Sequence, residues 1–199
     1  MKIIFKIITS ISFSFIFFQY ALCQINVAPQ VNILYGDKYV FTMETPKNWI
    51  NDYLFAYKVG LESFFYSNSD LKKVQKSYFY AKGVDKSESS ESLNKFIKKD
   101  IDNFKKIKSD LKYKSIKANF SDDIKNSKIY MFSNLPGYYM KEKVYLETDK
   151  AFIIFCFSAR TMQNYKDYKP IFNKFIDSFS YLGDDPNLFK NEINYYSIM

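Results

Sequence analysis

The sequence predicts an α+β fold, a central antiparallel sheet flanked by helices on both faces. Three observations predict it. Tyr138–Glu147 and Ala151–Ser158 read as two strands joined by the short polar turn Thr148-Asp149-Lys150. The second strand, AFIIFCFS, holds no polar residue until its end, with Phe152, Ile154 and Cys156 on one side and Ile153, Phe155 and Phe157 on the other. A strand apolar on both faces needs cover on both. Finally, two stretches carry apolar residues at spacings of three and four, the pattern of helices with one buried stripe.

Taken in order, the chain opens on a targeting segment, 1–23. Lys2 and Lys6 precede an apolar and hydroxyl stretch, Ile7–Phe18, and Ala21-Leu22-Cys23 supplies small residues three and one before a cut at Gln24. The stretch is shorter and more poorly flanked than the roughly 20 apolar residues of a membrane span. Cleavage between Cys23 and Gln24 and a periplasmic or secreted location are therefore expected. The alternatives are a lipid anchor on Cys23, against which Leu22 stands where a lipobox wants a small residue, and an uncleaved anchor.

A lead-in covers 24–38. Val31–Leu34 and Tyr39–Glu44 are strand-like around Gly36-Asp37-Lys38. Pro46 ends that pairing, and Trp49, the one tryptophan, is expected to drop onto the core. Short strands are expected at Tyr53–Tyr57, Glu62–Ser67 and Val74–Val84. Ser89 or Ser90 is placed to cap the next helix, with Glu88 and Glu91 near its positive end. From Leu93 to about Leu111 the residues Leu93, Phe96, Ile97, Ile101, Phe104, Ile107 and Leu111 share one face. Asp100 intrudes on that face. A carboxylate there is costly unless paired, so it either reaches water or a backbone amide at the edge or lines a pocket. Lys114–Phe120 and Ser127–Phe132 follow as strands, and Leu135-Pro136-Gly137 turns the chain into the hairpin. The closing helix carries Tyr168, Ile171, Phe172, Phe175, Ile176 and Phe179 on one stripe. Asp184-Asp185-Pro186 stops it, and the tail, 183–199, either docks as a short helix over Pro186–Tyr195 or stays loose.

Composition removes most enzyme classes. The 199 residues include no histidine, which takes away Ser-His-Asp and Cys-His arrangements, the usual zinc sites and the commonest general base. The five glycines are spread apart, so no phosphate loop forms, and GxSxG, HExxH and CxxC are absent. Asp122-Asp123 and Asp184-Asp185 lie in turns, where aspartate serves the backbone. After cleavage Cys156 is the one remaining cysteine, sits in the most apolar strand and reads as a small buried hydrophobe. No catalytic residue, cofactor or metal is expected.

The formal net charge is +8, and Arg160 is the one arginine. Base-edge and phosphate-fork recognition favours arginine, so nucleic acid is not expected as a partner. Between Leu93 and Phe120 nine lysines stand against three aspartates, a surplus of +6 that equals the charge of the chain once Lys2 and Lys6 are removed. The basic character is thus one local surface. Lys95, Lys98, Lys99, Lys105 and Lys106 form either a solvated helix face laced by pairs such as Lys98–Asp102 and Asp102–Lys106 or a docking patch for an acidic envelope protein or an anionic membrane surface.

The order of these elements resembles the PsbP-like family, whose α/β/α fold is shared by the extrinsic PsbP protein of photosystem II, a Ran-binding import factor and small bacterial exported proteins. The residues that carry the resemblance are YVFTMETPKNW, SSESLNKFIKKDIDNF, LPGYYMKEKVYL with KAFIIFCFS, and YKDYKPIFNKFIDSFSYL, covering 39–182. The resemblance implies an antiparallel sheet between helices and a non-catalytic role in binding or assembly. The expectation is an exported, monomeric, non-catalytic module of the cell envelope. The competing expectation is a carboxylate-dependent hydrolase or a weak metal-binding enzyme, for which Asp100 is the one individual support.

Overall fold

The computed structural model describes residues 29–68, 77–88, 91–116, 124 and 126–189. The targeting segment with Cys23 and Gln24, the serines Ser89 and Ser90, Lys117 and the tail beyond Phe189 lie outside the described residues. Among the described residues ten strands fall in two antiparallel sheets rather than the one sheet expected. Strands β1 (Val31–Tyr35), β2 (Val40–Glu44) and β10 (Ser180–Gly183) make a three-stranded sheet in the order β1-β2-β10. The larger sheet takes β3 (Trp49–Asn51), β4 (Phe65–Ser67), β5 (Ser77–Asp85), β6 (Lys112–Ile116), β7 (Asn126–Leu135), β8 (Tyr138–Glu147) and β9 (Ala151–Ala159) in the order β3-β4-β5-β9-β8-β7-β6. The α-helices among the described residues are α1 (Tyr53–Lys58), α2 (Leu93–Ile107) and α3 (Met162–Asp177).

Strand β9 is the middle of the larger sheet, and all nine of its residues are buried. It pairs with β8 on one side, Val144 opposite Phe155, and with β5 on the other, Phe79 opposite Phe157. Its alternation divides the interior in two. Ile153, Phe155 and Phe157 belong to a core with Phe172, Phe175 and Ile176 of α3. Phe152 and Ile154 belong to a second core with Leu93, Ile97 and Ile101 of α2. Each such side chain adds roughly 1.5–3 kcal/mol on burial.

The first core is built from aromatic rings. Trp49 is 7% exposed, stacks on Phe79 at 4.0 Å and meets Tyr168 edge-on at 5.2 Å. Tyr39 carries the small sheet onto the large one. Its ring lies so close to Gly36 and Gly83 that a Cβ on either would overlap it, and its hydroxyl donates to Glu62, which also accepts from the Gly83 amide. Burial raises the Glu62 carboxyl above the usual carboxylate range, against the pull of those hydrogen bonds and of Lys82. Pro136-Gly137 closes the β7–β8 hairpin, with Gly137 at φ 75°, where glycine carries no Cβ penalty.

Three local expectations give way. Tyr53–Tyr57 is helical, because Asp52 caps the turn and its carboxylate accepts from the Phe55 amide. The cap of α2 is Ser92, whose hydroxyl accepts from the Lys95 amide, and the helix stops at Ile107. Leu111 is nevertheless buried beyond that end, whereas Ile107 is 69% exposed. At the C-terminal side, α3 ends at Asp177 and the chain re-enters a strand, β10, where Tyr181 pairs with Phe41. Pro186–Phe189 forms a short 3-10 turn.

Candidate functional site

The apolar stripe of α2 fixes the helix by Leu93, Ile97 and Ile101, with Phe96 stacked on Phe152 at 4.5 Å and Phe104 against Phe132 at 5.1 Å. Because that face is committed to the sheet, helical geometry turns the lysines the other way. Lys95, Lys98, Lys99, Lys105 and Lys106 are all exposed. Neighbouring β6, which ends the larger sheet among the described strands, is exposed along its whole length and adds Lys112 and Lys114. Among the described residues neither Lys98–Asp102 nor Asp102–Lys106 closes to an ion pair; Lys106 Nζ donates to Asn103 Oδ1 instead. Lys105 Nζ sits 5.5 Å over the Tyr113 ring.

Of the three aspartates of this region, Asp102 is exposed on α2, Asp110 is tied to its neighbours and Asp100 is turned to the sheet. Asp110 pairs with Lys108 at 3.0 Å and accepts from Asn134 at 2.7 Å, and the side-chain hydrogen bond from Lys108, more than any other contact, holds its carboxyl below the usual range. Asp100 points inward. Its Oδ2 accepts from Lys143 Nζ at 2.7 Å and from the Tyr145 hydroxyl at 2.5 Å. Lys143 and Tyr145 come from β8, two residues apart and so on the same face of the sheet. A buried ammonium and a buried phenol hold Asp100, where water or a backbone amide was expected at the edge of the stripe, and its side chain keeps 26% exposure. Tyr145 is fully buried, and burial first, then the Asp100 charge, pushes its hydroxyl well above the ordinary tyrosine range. The hydroxyl thus stays a donor to Asp100.

Two further carboxylates, one buried and one half-buried, escaped sequence reasoning. Glu142 is 2% exposed and takes Lys169 Nζ at 2.5 Å and the Tyr165 hydroxyl at 2.9 Å. Glu147 takes the buried Lys86 at 2.8 Å. The signal for Glu142 was its parity, since it shares a face with Met140, Val144 and Leu146. Cys156 is free and buried. Among the described residues no three His, Cys, Asp or Glu side chains come together as a metal-binding group, and no helix is long and apolar enough to cross a membrane.

No protein-family model and no curated protein sequence matches the chain. Solved structures do. The chain is similar to cyanobacterial PsbP (CyanoP) from Synechocystis sp. PCC 6803, with a TM-score of 0.52 at 13% identity, over 80% of this chain and 96% of that one. It is similar to a point mutant of the protein Mog1, with a TM-score of 0.50 at 10% identity, over 82% and 100% of the two chains. The Ran-binding protein Mog1p of Saccharomyces cerevisiae gives 0.49 at 9% identity, over 81% and 98%. The PsbP-like fold expected from the order of elements is thus the fold of this chain.

Proposed function

We propose that the protein is a non-catalytic binding or assembly module of the cell envelope, exported by cleavage between Cys23 and Gln24, that docks by the lysine face of α2 on an anionic surface. The observation that carries this is the disposition of charge. Five lysines of α2 and two of β6 face solvent, while Asp100 is turned inward to Lys143 and Asp110 is tied to Lys108 and Asn134. The result is a surface on which seven exposed lysines outnumber the exposed Asp102 and Asp110, anchored on a helix that cannot rotate without exposing its stripe. The proposal includes a layered arrangement, with α2 and α3 covering opposite faces of the larger sheet, which leaves the outer side of α2 free for a partner.

Attraction to an anionic leaflet is worth roughly 1 kcal/mol per lysine near the surface and fades within a Debye length of about 8–10 Å. The test is co-sedimentation with vesicles containing an anionic lipid, and with envelope proteins, at low and high salt. Wild type is expected to bind at low salt and release at high salt. The fourfold variant K98E/K99E/K105E/K106E is expected to keep its fold, since all four side chains are exposed, and to lose that binding. No binding by wild type at low salt, or equal binding by the variant, refutes the docking role.

A further inference from the structure

Beyond the lysine face, the same side of the larger sheet carries a second cationic feature of a different kind. Most buried and half-buried lysines have an oxygen partner, and half-buried Lys82, with no printed hydrogen bond, still lies near enough to Glu62 for its charge to act on that carboxyl. Lys86 meets Glu147, Lys143 meets Asp100, Lys169 meets Glu142, and Lys128 Nζ donates to Asn94 Oδ1. Such pairing is what withdrawal of an ammonium from water demands. Lys141 stands apart. It is half-buried on β8, and among the described residues its ammonium has no oxygen partner. It meets three rings instead: Tyr138 at 5.3 Å, Phe104 at 5.5 Å and Tyr78 at 6.0 Å.

A second cation shares one of these rings. Arg160 follows the last residue of β9, is exposed, and places its guanidinium 5.7 Å from the centre of Tyr138. It is the single arginine of a chain that otherwise uses lysine throughout. The register brings the two together, since Lys141 of β8 lies opposite Ser158 of β9. Around them the surface is aromatic. Tyr78 stacks on Phe64 at 4.8 Å, meets Tyr138 edge-on at 5.9 Å and runs on to Tyr80 at 6.4 Å. Tyr66, Tyr78, Tyr80 and Tyr138 are half-buried.

We infer that Lys141 and Arg160, which share the ring of Tyr138, form a binding site for the oxyanion of a small ligand, a phosphate or a carboxylate carried on a flat apolar body. The chemistry of each part selects that class. Lys141 is a half-desolvated point charge without a counter-ion, and a bound oxyanion supplies the partner that most other sequestered lysines already have. Arg160 offers a planar fork that fits two oxygens of one phosphate or carboxylate at once. The tyrosine rings provide flat apolar contact beside the charges. The site is separate from the outward lysines of α2, and the two are separable by mutation.

The experiment titrates the full chain with phenyl phosphate and, separately, with benzoate, at constant ionic strength, by calorimetry and by amide chemical shifts. The variants are Lys141→Met, which keeps the apolar stem on the rings, Arg160→Gln, and the fourfold reversal of the α2 lysines. Wild type is expected to bind at least one probe saturably, one to one, with shifts centred on Tyr138, Lys141 and Arg160; which probe binds identifies the oxyanion. Lys141→Met and Arg160→Gln are each expected to weaken it roughly tenfold or more, as loss of a hydrogen bond to a charged group does. The fourfold reversal is expected to leave it unchanged. Arg160 is exposed, so its variant keeps the test valid even if Lys141→Met folds poorly. Absence of saturable binding of either probe by wild type overturns the inference. So does undiminished binding in both single variants, or loss in the fourfold variant alone, which assigns the anion to the α2 face.

Discussion

The Asp100–Lys143 pair gives a quantitative test of what holds α2 to the sheet. The side chain of Lys143 is 8% exposed and that of Asp100 26%. Replacing Asp100 by Asn keeps the size and an acceptor for the Tyr145 hydroxyl but leaves the Lys143 ammonium in front of Phe104 and Tyr145 with no counter-charge. Breaking a fully buried pair costs about 3–5 kcal/mol. Partial exposure of Asp100 admits water to one end, which lowers the expected loss to about 2–3 kcal/mol. Lys143→Met is expected to cost less, about 1 kcal/mol, because Asp100 can keep the Tyr145 bond and turn toward solvent. In the double variant both charges are gone, and the introduced amide still accepts from the Tyr145 hydroxyl in neutral form. Its stability is therefore expected within about 1 kcal/mol of wild type. The coupling energy is then about 2–4 kcal/mol. Urea unfolding of all four proteins, followed by Trp49 emission and far-UV circular dichroism, measures it, provided the m-values agree. A double variant less stable than the sum of the single losses, or an Asp100→Asn protein as stable as wild type, refutes the view that this pair anchors the helix.

Two other outcomes follow from the cores. Trp49 stacks on Phe79 at 4.0 Å in a region 7% exposed, so native emission is expected to be blue-shifted and Trp49→Ala to cost about 3–5 kcal/mol in urea unfolding. Emission like that of the free amino acid removes the core assignment. At alkaline pH, burial holds the hydroxyls of Tyr39, Tyr145, Tyr165 and Tyr181 above the ordinary value of 10.0. The folded state thus keeps protons that the unfolded chain releases, so this stability is complete below pH 10.0 and is lost as pH rises beyond it. Of the 18 tyrosines, several are exposed, so only part of the tyrosinate absorbance is expected to rise together with the loss of circular dichroism; complete ionisation of all the tyrosines in a protein that stays folded contradicts the burial.

How much of this was legible in the sequence depends on how local the cause is. The hairpin of β8 and β9 was readable because an apolar run and a strict alternation flank a polar turn, and the structure places it at Tyr138–Glu147 and Ala151–Ala159. The stripe of α2 was readable by its period. Helix α1 was not, since six residues are too few to reveal a period and its aromatic content imitates a strand. Strand β10 was hidden because Phe179 continues the stripe of α3 on paper, whereas in space the chain leaves the helix to pair with β2, about 140 residues earlier in the chain. That long-range pairing also makes the second sheet, which no local pattern encodes. At the candidate site the exposure of the lysines was derivable from the stripe, but the partner of Asp100 was not, because Lys143 and Tyr145 stand on a strand more than forty residues away.

The lysines of β6 have a meaning that does not require a partner at all. A strand at the end of a sheet presents a row of unpaired backbone groups to any other strand that approaches. Here that row belongs to a strand with Tyr113 and Ile116 exposed at 44% and 39%, side chains that favour a sheet. Lys112 and Lys114 flank Tyr113 and place charge beside the edge that β6 forms among the described strands. Two copies meeting edge to edge would bring these ammonium groups together, and the repulsion would oppose that pairing. The same positive field that is offered to an anionic surface therefore guards the fold against fibre-like self-association. Neutralising Lys112 and Lys114 removes that guard and invites insolubility, a loss that a sedimentation assay would misread as binding.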